Sequence, residues 1–174
     1  MPKHEKIKNK KFTEEELKAI PKVELNKLLI SLKEHLKKEK IMQEAFNKYK
    51  IDIEEIDYIP MMFGDLEVSA KTDHGVIIFN YKLLEDGDFL GDFSYGIHEI
   101  THWLQQCSGN KGTQSASDGD YLDNPDEKEG FQYQIKYIDK HYGEEKAENY
   151  VNNLINYHDV DDKKEKKEEL MAKI

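Results

Sequence analysis

The chain has 174 residues, of which 37% are apolar and 36% charged, so one domain with a small core and a large solvated surface is expected. The net charge of −10 argues against a nucleic-acid partner, which requires a basic face to neutralise its phosphates. A single cysteine excludes an intrachain disulfide and a thiolate-based zinc site. The first segment is polar and no apolar run reaches roughly 18 residues, so no membrane partner is expected and the predicted location is cytoplasmic.

Three segments are predicted along the chain. A basic tail at residues 1–11 is expected to be flexible, and a run of lysine and glutamate at residues 159–174 is expected to be a charged tail, either helical or disordered. Residues 12–158 between them carry the clustered, periodic apolar positions of a single folded domain.

The first half of this domain is predicted to contain helices followed by two strands. A capping-box pattern at Thr13 and Glu16 starts a helix. Apolar positions at three-to-four spacing across residues 23–49 predict two or three further helices. Alternation across residues 66–70 and a β-branched run at residues 76–79 then predict two strands, paired as a hairpin or within one small sheet.

The second half of the domain is predicted to contain helices around a long loop. The first helix covers residues 93–107, with Asp92 or Ser94 as its cap. Residues 108–123 form a polar loop without periodicity, and long loops of this kind are often functional. A second helix starts after Asn124, a good capping residue that is followed by proline, and a third helix follows it.

The segment His98-Glu-Ile-Thr-His102 on the first of these helices is an H-E-x-x-H sequence. Histidines four positions apart lie one turn apart on one helix face, so both imidazoles can bind the same metal ion. Glu99 projects about 100° round the helix from His98, which places its carboxylate beside the metal, where it can take a proton from a water molecule. Zinc (Zn²⁺) is the expected cofactor, since it lowers the pKa of a bound water toward about 7.

Helix phase favours a functional role for both histidines. At 100° per residue, the apolar positions of this helix fall within an arc of about 80°, and the histidines point roughly opposite that arc. The alternative interpretation is a chance match to the pattern, with histidines that serve packing or lie on the surface.

A catalytic zinc site typically has a third protein ligand. The downstream candidates are Asp123, Asp126, Glu127, Glu129, His141 and His158. The arrangement HEITHW followed by NPDEKEGF resembles gluzincin-type metallopeptidases in their small single-domain form, and also phage-encoded proteins with HExxH followed by P-x-E-x-E. The resemblance covers roughly residues 76–142. It implies a minimal zincin-like fold, a peptide or protein substrate and Glu127 as the third ligand. The similarity to phage-encoded proteins adds a phage-infected host to the cytoplasmic locations expected above.

Reasoning from the residues themselves leaves both Glu127 and Glu129 open as the third ligand. With Asn124 as the cap, Glu127 occupies the third helical position, where a glutamate often caps the helix instead of binding a ligand. Helix phase favours Glu127, which lies four residues before Phe131 on the inward stripe, whereas Glu129 points to the other side. Glu127 is therefore the predicted ligand and Glu129 the alternate.

Two departures from the family pattern concern the surroundings of the metal. Gly130 stands where the family has a small alanine, and Phe131 stands where the family has a residue that orients a zinc histidine, so another group must take that task. The extended metzincin pattern is excluded, because it requires glycine and histidine where this chain has Gln105 and Ser108.

Residues for the substrate are less well defined. In zincin folds a strand before the active-site helix pairs with an extended substrate, and Val76–Asn80 is the candidate here. Several side chains are possible oxyanion donors, and none is singled out among Tyr121, Tyr133, Tyr137, His141 and His158.

The sequence thus predicts an α+β, zincin-like zinc metallopeptidase in which Glu99 is the general base and His98, His102 and Glu127 hold the metal. One alternative is a zincin-like protein that binds metal without catalysis and acts as a binding or phage-assembly module. The other is a helical interaction protein in which the motif is accidental. The oligomeric state stays open.

Overall fold

The computed structural model describes residues 13–84, 89–109, 122–158, 160 and 162–172. Within these residues the α-helices are α1 (Glu14–Lys18), α2 (Lys22–Lys37), α3 (Lys40–Lys48), α4 (Phe89–Cys107), α5 (Pro125–Tyr142), α6 (Glu144–Tyr157) and α7 (Lys163–Met171). The strands are β1 (Met61–Gly64), β2 (Ala70–Asp73) and β3 (Val76–Asn80), and short 3-10 helices cover Ile53–Tyr58 and Tyr81–Leu84. The fold class is therefore α+β, as predicted.

The three strands form one mixed sheet in the order β1-β3-β2. β1 runs parallel to β3, and β2 runs antiparallel to it. The β2–β3 hairpin closes through His74 and Gly75, whose φ angles of 50° and 79° are those of a two-residue turn that matches the natural strand twist. A hairpin of two strands is present, as predicted, but its first strand, Ala70–Asp73, overlaps the predicted residues 66–70 only at Ala70, and β1 was not predicted.

β3 is the central strand, and this position corrects the prediction for substrate binding. Its two edges are already paired with β1 and β2, so Val76–Asn80 has no free edge for an extended substrate and that prediction is wrong. Within the described residues β2 is an edge strand, and it packs against α4.

Two apolar cores meet along α5, which contributes residues to both. The larger one joins α2, α3, the sheet and one face of α4, and its fully buried members include Leu36, Phe46, Ile77 and Ile100. The smaller core joins α5, α6 and α7. α4 packs against α5 as well as against the larger core, so it is enclosed on more than one side.

The structure corrects the predicted start of the metal-binding helix. α4 begins at Phe89, four residues before the predicted position, so Asp92 and Ser94 lie inside the helix and do not cap it. A capping preference is a weak local signal that tertiary packing overrides. The predicted basic tail at residues 1–11 and most of the predicted loop, residues 110–121, lie outside the described residues.

The charged segment at the end of the chain packs onto the domain. α7 is helical, as one of the two predicted alternatives had it, but Leu170 and Lys166 are buried against the smaller core, with Lys166 bonded to Asp123 and Glu169. A stripe of two residues four positions apart is too narrow to stand out in a Lys/Glu run, which is why the segment was predicted to be a tail. No helix among the described residues is both long and apolar enough to cross a membrane.

Candidate metal centre

The two histidines of the motif lie on the face of α4 that packs against α5. Ile97, Ile100 and Leu104 on the other face are fully buried in the larger core. His98 and His102 are also buried, with 5% and 8% of their surface exposed. Helix phase predicts these two opposite faces. One face packs into the apolar core, and the other presents the two histidines to α5.

The start of α5 brings a carboxylate to these histidines. Asn124 caps the helix, its side-chain oxygen accepting a hydrogen bond from the Asp126 N–H at 2.9 Å. Glu127 lies in the first turn after this cap and is buried. Its Oε1 lies 3.0 Å from Nε2 of His98 and 3.0 Å from Nε2 of His102.

Three ligand-type atoms thus converge on one point. The two Nε2 atoms are 3.1 Å apart, so together with Oε1 of Glu127 they form a nearly equilateral triangle. A tetrahedral ion bound at about 2.0–2.1 Å separates its ligand atoms by roughly 3.3 Å. Two imidazole nitrogens and one carboxylate oxygen are also a known donor set of catalytic zinc. These residues fit a zinc ion in both donor chemistry and spacing.

Glu129, the alternate ligand, does not join this cluster. Its carboxylate accepts hydrogen bonds from Lys48 and Tyr49 on the far side and from Nε2 of Gln105 at 3.1 Å. The structure therefore brings Glu127 to His98 and His102 and directs Glu129 elsewhere.

The charges of the cluster are strongly coupled. Burial opposes the ionisation of Glu127, but hydrogen bonds from His102 and His98 outweigh it and hold the pKa of this carboxyl well below its usual range. Burial also opposes the protonation of His102, but the hydrogen bond and negative charge of Glu127 outweigh it and raise the pKa of His102 to about 9. A positive charge is therefore favoured between these residues, as a proton or as a metal ion.

His102 and His98 are held by different means. Nδ1 of His102 lies 2.8 Å from Oε1 of Gln105. Nδ1 of His98 is buried and has no hydrogen-bond partner among the described residues. Its ring packs on Phe131, with centroids 4.4 Å apart, and against Gly130. Phe131 and Gly130 thus hold the ring of His98 by packing alone.

Gly130 allows α5 to approach the ring of His98 closely. A Cβ at this position would lie 3.0 Å from both Cε1 and Nδ1 of that ring. We expect Gly130→Ala to weaken zinc binding roughly tenfold. The added methyl group displaces the ring of His98, and returning the ring to its metal-binding position costs about 1–2 kcal/mol.

The stability of the metal-free variant separates this effect from general damage. Alanine is favoured over glycine within a helix by up to about 1 kcal/mol, so the metal-free Gly130→Ala protein should unfold close to the wild-type temperature. Zinc affinity from chelator competition and thermal unfolding are the two measurements. An unchanged zinc affinity contradicts the expectation.

Glu99 is positioned by a residue that the sequence did not single out. Oγ1 of Thr72 on β2 donates a hydrogen bond to Oε1 of Glu99 at 2.8 Å and lies 3.0 Å from its backbone carbonyl. Glu99, His98 and His102 each offer a ligand-type atom within 4.8 Å of the others. Glu127 makes the hydrogen bonds to the histidines, whereas Glu99 is bonded to Thr72, so Glu99 lies beside the triangle.

Two of the possible oxyanion donors belong to a separate cluster. The hydroxyl of Tyr137 is 3.0 Å from Nε2 of His35, and Nε2 of His141 is 2.8 Å from the buried carboxylate of Glu39. Tyr137 is ten residues after Glu127 on the same helix, a rise of roughly 15 Å. Tyr137 and His141 therefore do not line the candidate metal centre.

The remaining possible donors are placed as follows. Tyr133 is half-buried on α5, where burial and then the charge of Glu129 raise the pKa of its phenol. His158 follows the last residue of α6. Tyr121 lies outside the described residues.

Comparison of the chain with protein-family profiles, curated proteins and solved structures finds no significant match.

Proposed function

We propose that the protein is a zinc-dependent peptidase with a minimal zincin-like fold. The observation that carries the proposal is the convergence of His98, His102 and Glu127, with three ligand-type atoms 3.0–3.1 Å apart in a buried site next to Glu99. The donor set is that of a catalytic zinc site with one position open, and a separate carboxylate beside it is what general-base chemistry requires.

The residues of the site divide into metal ligands and a base. His98, His102 and Glu127 would hold the ion. When bound, zinc lowers the pKa of a water molecule toward about 7 and polarises a carbonyl group. Glu99 accepts the proton of the attacking water on its carboxylate and later transfers that proton to the leaving amine. Thr72 keeps this carboxylate oriented through its 2.8 Å hydrogen bond.

An extended peptide is the substrate class that suits the surroundings of the site. β2 is an edge strand within the described residues, and its Thr72 contacts Glu99 directly. A substrate strand that added to this edge would run past the general base, with backbone hydrogen bonds supplying affinity. This assigns to β2 the role predicted for β3.

A metal-binding protein without catalysis is the second candidate function. It is favoured by the engagement of Tyr137 and His141 with His35 and Glu39, which removes two of the side chains considered as oxyanion donors. Such a protein would bind partners through the same domain, as a binding or phage-assembly module.

The test combines metal analysis with hydrolysis. We expect purified protein to hold one zinc ion per chain and His98→Ala to hold none. Hydrolysis of unfolded casein should stop on addition of 1,10-phenanthroline and return with zinc. Absence of zinc from the wild-type protein overturns the proposal, and stoichiometric zinc without hydrolysis of casein or a mixed peptide library favours the second candidate.

Zinc binding should also release protons. A pKa of about 9 means that His102 is protonated in the metal-free protein at pH 7, and zinc needs the lone pair that this proton occupies. We therefore expect uptake at pH 7 to release about one proton from His102, and the apparent zinc affinity to rise about tenfold per pH unit between pH 6 and 8. Calorimetry in buffers of different ionisation enthalpy gives the number of protons, and a value of zero contradicts this assignment.

A further inference from the structure

Gln105 links the candidate metal centre to the rest of the domain. It is on α4, three residues after His102, and only 1% of its surface is exposed. Its Oε1 lies 2.8 Å from Nδ1 of His102. Its Nε2 donates to the backbone carbonyl of Asp126 at 3.0 Å and to Oε1 of Glu129 at 3.1 Å. All the polar atoms of this side chain are therefore engaged.

The orientation of the Gln105 amide follows from its partners. The carbonyl of Asp126 can only accept a hydrogen bond, and so can the ionised carboxylate of Glu129. Nε2 of Gln105 must face both of them, which leaves Oε1 facing His102. Since Oε1 can only accept, Nδ1 of His102 must carry a proton. The lone pair that binds a metal is then confined to Nε2, the atom that faces Glu127.

Glu129 anchors this arrangement to another helix. Lys48, the last residue of α3, and Tyr49, which follows it, both donate to the Glu129 carboxylate. The Glu129 carboxylate accepts hydrogen bonds from these two donors and from Nε2 of Gln105. It therefore holds the Gln105 amide in the orientation that His102 requires.

We infer that Gln105 is the positioning residue for His102, and that Glu129, held by Lys48 and Tyr49, locks the Gln105 amide. The inference rests on the proposed metal-binding function. Gln105 then orients a metal-binding histidine, as the residue at the position of Phe131 does in gluzincin-type metallopeptidases. The Glu129 carboxylate serves to hold the Gln105 amide and is not a metal ligand. Groups that orient a metal-bound histidine typically change metal affinity 10–100-fold when removed.

A second buried glutamine provides the matched control. Gln134 on α5 also has 1% of its surface exposed, and its Nε2 donates to Oγ of Ser94 on α4 at 3.2 Å. It joins the same pair of helices as Gln105 but, within the described residues, makes no hydrogen bond to either metal-binding histidine. A role of Gln105 limited to holding α4 against α5 would make the two substitutions equivalent.

The experiment compares Q105A, Q134A and E129Q with wild type in zinc affinity, by chelator competition, and in metal-free unfolding temperature. We expect Q105A to weaken zinc binding about 10–100-fold, E129Q to weaken it less, and Q134A to leave it nearly unchanged. The metal-free unfolding temperature should fall in both Q105A and Q134A, and further in Q105A, which loses three side-chain contacts where Q134A loses one. A zinc affinity of Q105A equal to that of Q134A overturns the inference.

Nitrogen-15 NMR of the wild-type protein tests the same inference without a variant that must fold. In the zinc-loaded protein, the His102 ring should retain its proton on Nδ1, with that proton shifted to low field by the bond to Gln105. A His102 ring bound to zinc through Nδ1 overturns the inference. If the wild-type protein binds no zinc, the proposed function fails. In the metal-free protein, where both ring nitrogens of His102 are protonated at pH 7, the low-field shift of the Nδ1 proton still reports whether Gln105 holds the ring.

Discussion

Glu99→Gln is expected to lower kcat for peptide hydrolysis by about 10²–10⁴-fold while zinc stays bound at full stoichiometry. An amide has nearly the shape of the carboxylate and can keep a hydrogen bond to Thr72, which lies 2.8 Å from the Glu99 carboxylate. It cannot accept a proton from water at neutral pH. The loss should therefore fall on kcat, because the ligands His98, His102 and Glu127 are untouched.

The measurement is steady-state hydrolysis of a peptide cleaved by the wild-type protein, with zinc content determined on the same samples. Glu145→Gln, at an exposed position in the first turn of α6, is the matched control and should retain wild-type activity. Activity of Glu99→Gln within a few-fold of wild type would remove Glu99 from the role of base. A variant that loses zinc along with activity would instead point to a structural role.

Glu127→Gln is expected to weaken zinc binding by about 10²–10³-fold, whereas the same change at Glu129 should leave one zinc ion bound per chain. Structural zinc sites with four ligands have apparent binding free energies of about 10–16 kcal/mol, so one ligand is worth roughly 3–4 kcal/mol. The structure places Oε1 of Glu127 3.0 Å from both His98 and His102, while Glu129 is bonded to Lys48, Tyr49 and Gln105.

The two variants form a matched pair, because each carries a single Glu→Gln substitution and the two positions are two residues apart on α5. Zinc affinity from chelator competition, with the metal-free unfolding temperature as a check on folding, is the measurement. The reverse result, with Glu129→Gln losing zinc and Glu127→Gln keeping it, would make Glu129 the ligand and require the start of α5 to rotate. Equal and small effects would exclude a third ligand from this helix.

Local periodicity was sufficient to place the motif. His98, Glu99 and His102 belong to one helix, and their relative directions depend only on the helical repeat, so the sequence alone determined which side chains share a face. The same applies to the start of α5, where Asn124 caps the helix as predicted. Helix phase also indicated the inward direction of Glu127, and the structure has its carboxylate beside both histidines.

Residues that meet across the fold could not be found in this way. Thr72 reaches Glu99 from β2, and Lys48 reaches Glu129 from α3, over separations of 27 and 81 residues. No short-range pattern encodes such pairs, because they depend on how whole elements pack.

Strand order and terminal packing were likewise decided only by the tertiary structure. β1 is too short to give a clear period of two, and its parallel pairing with β3 makes β3 central, so β2 is left with a free edge among the described strands. The sequence of α7 predicts a solvated run of charges, yet Leu170 and Lys166 are buried. Helical spacing acts between neighbouring turns and can be read from the chain itself, whereas edge strands and buried charges depend on contacts between distant segments, which only the folded domain brings together.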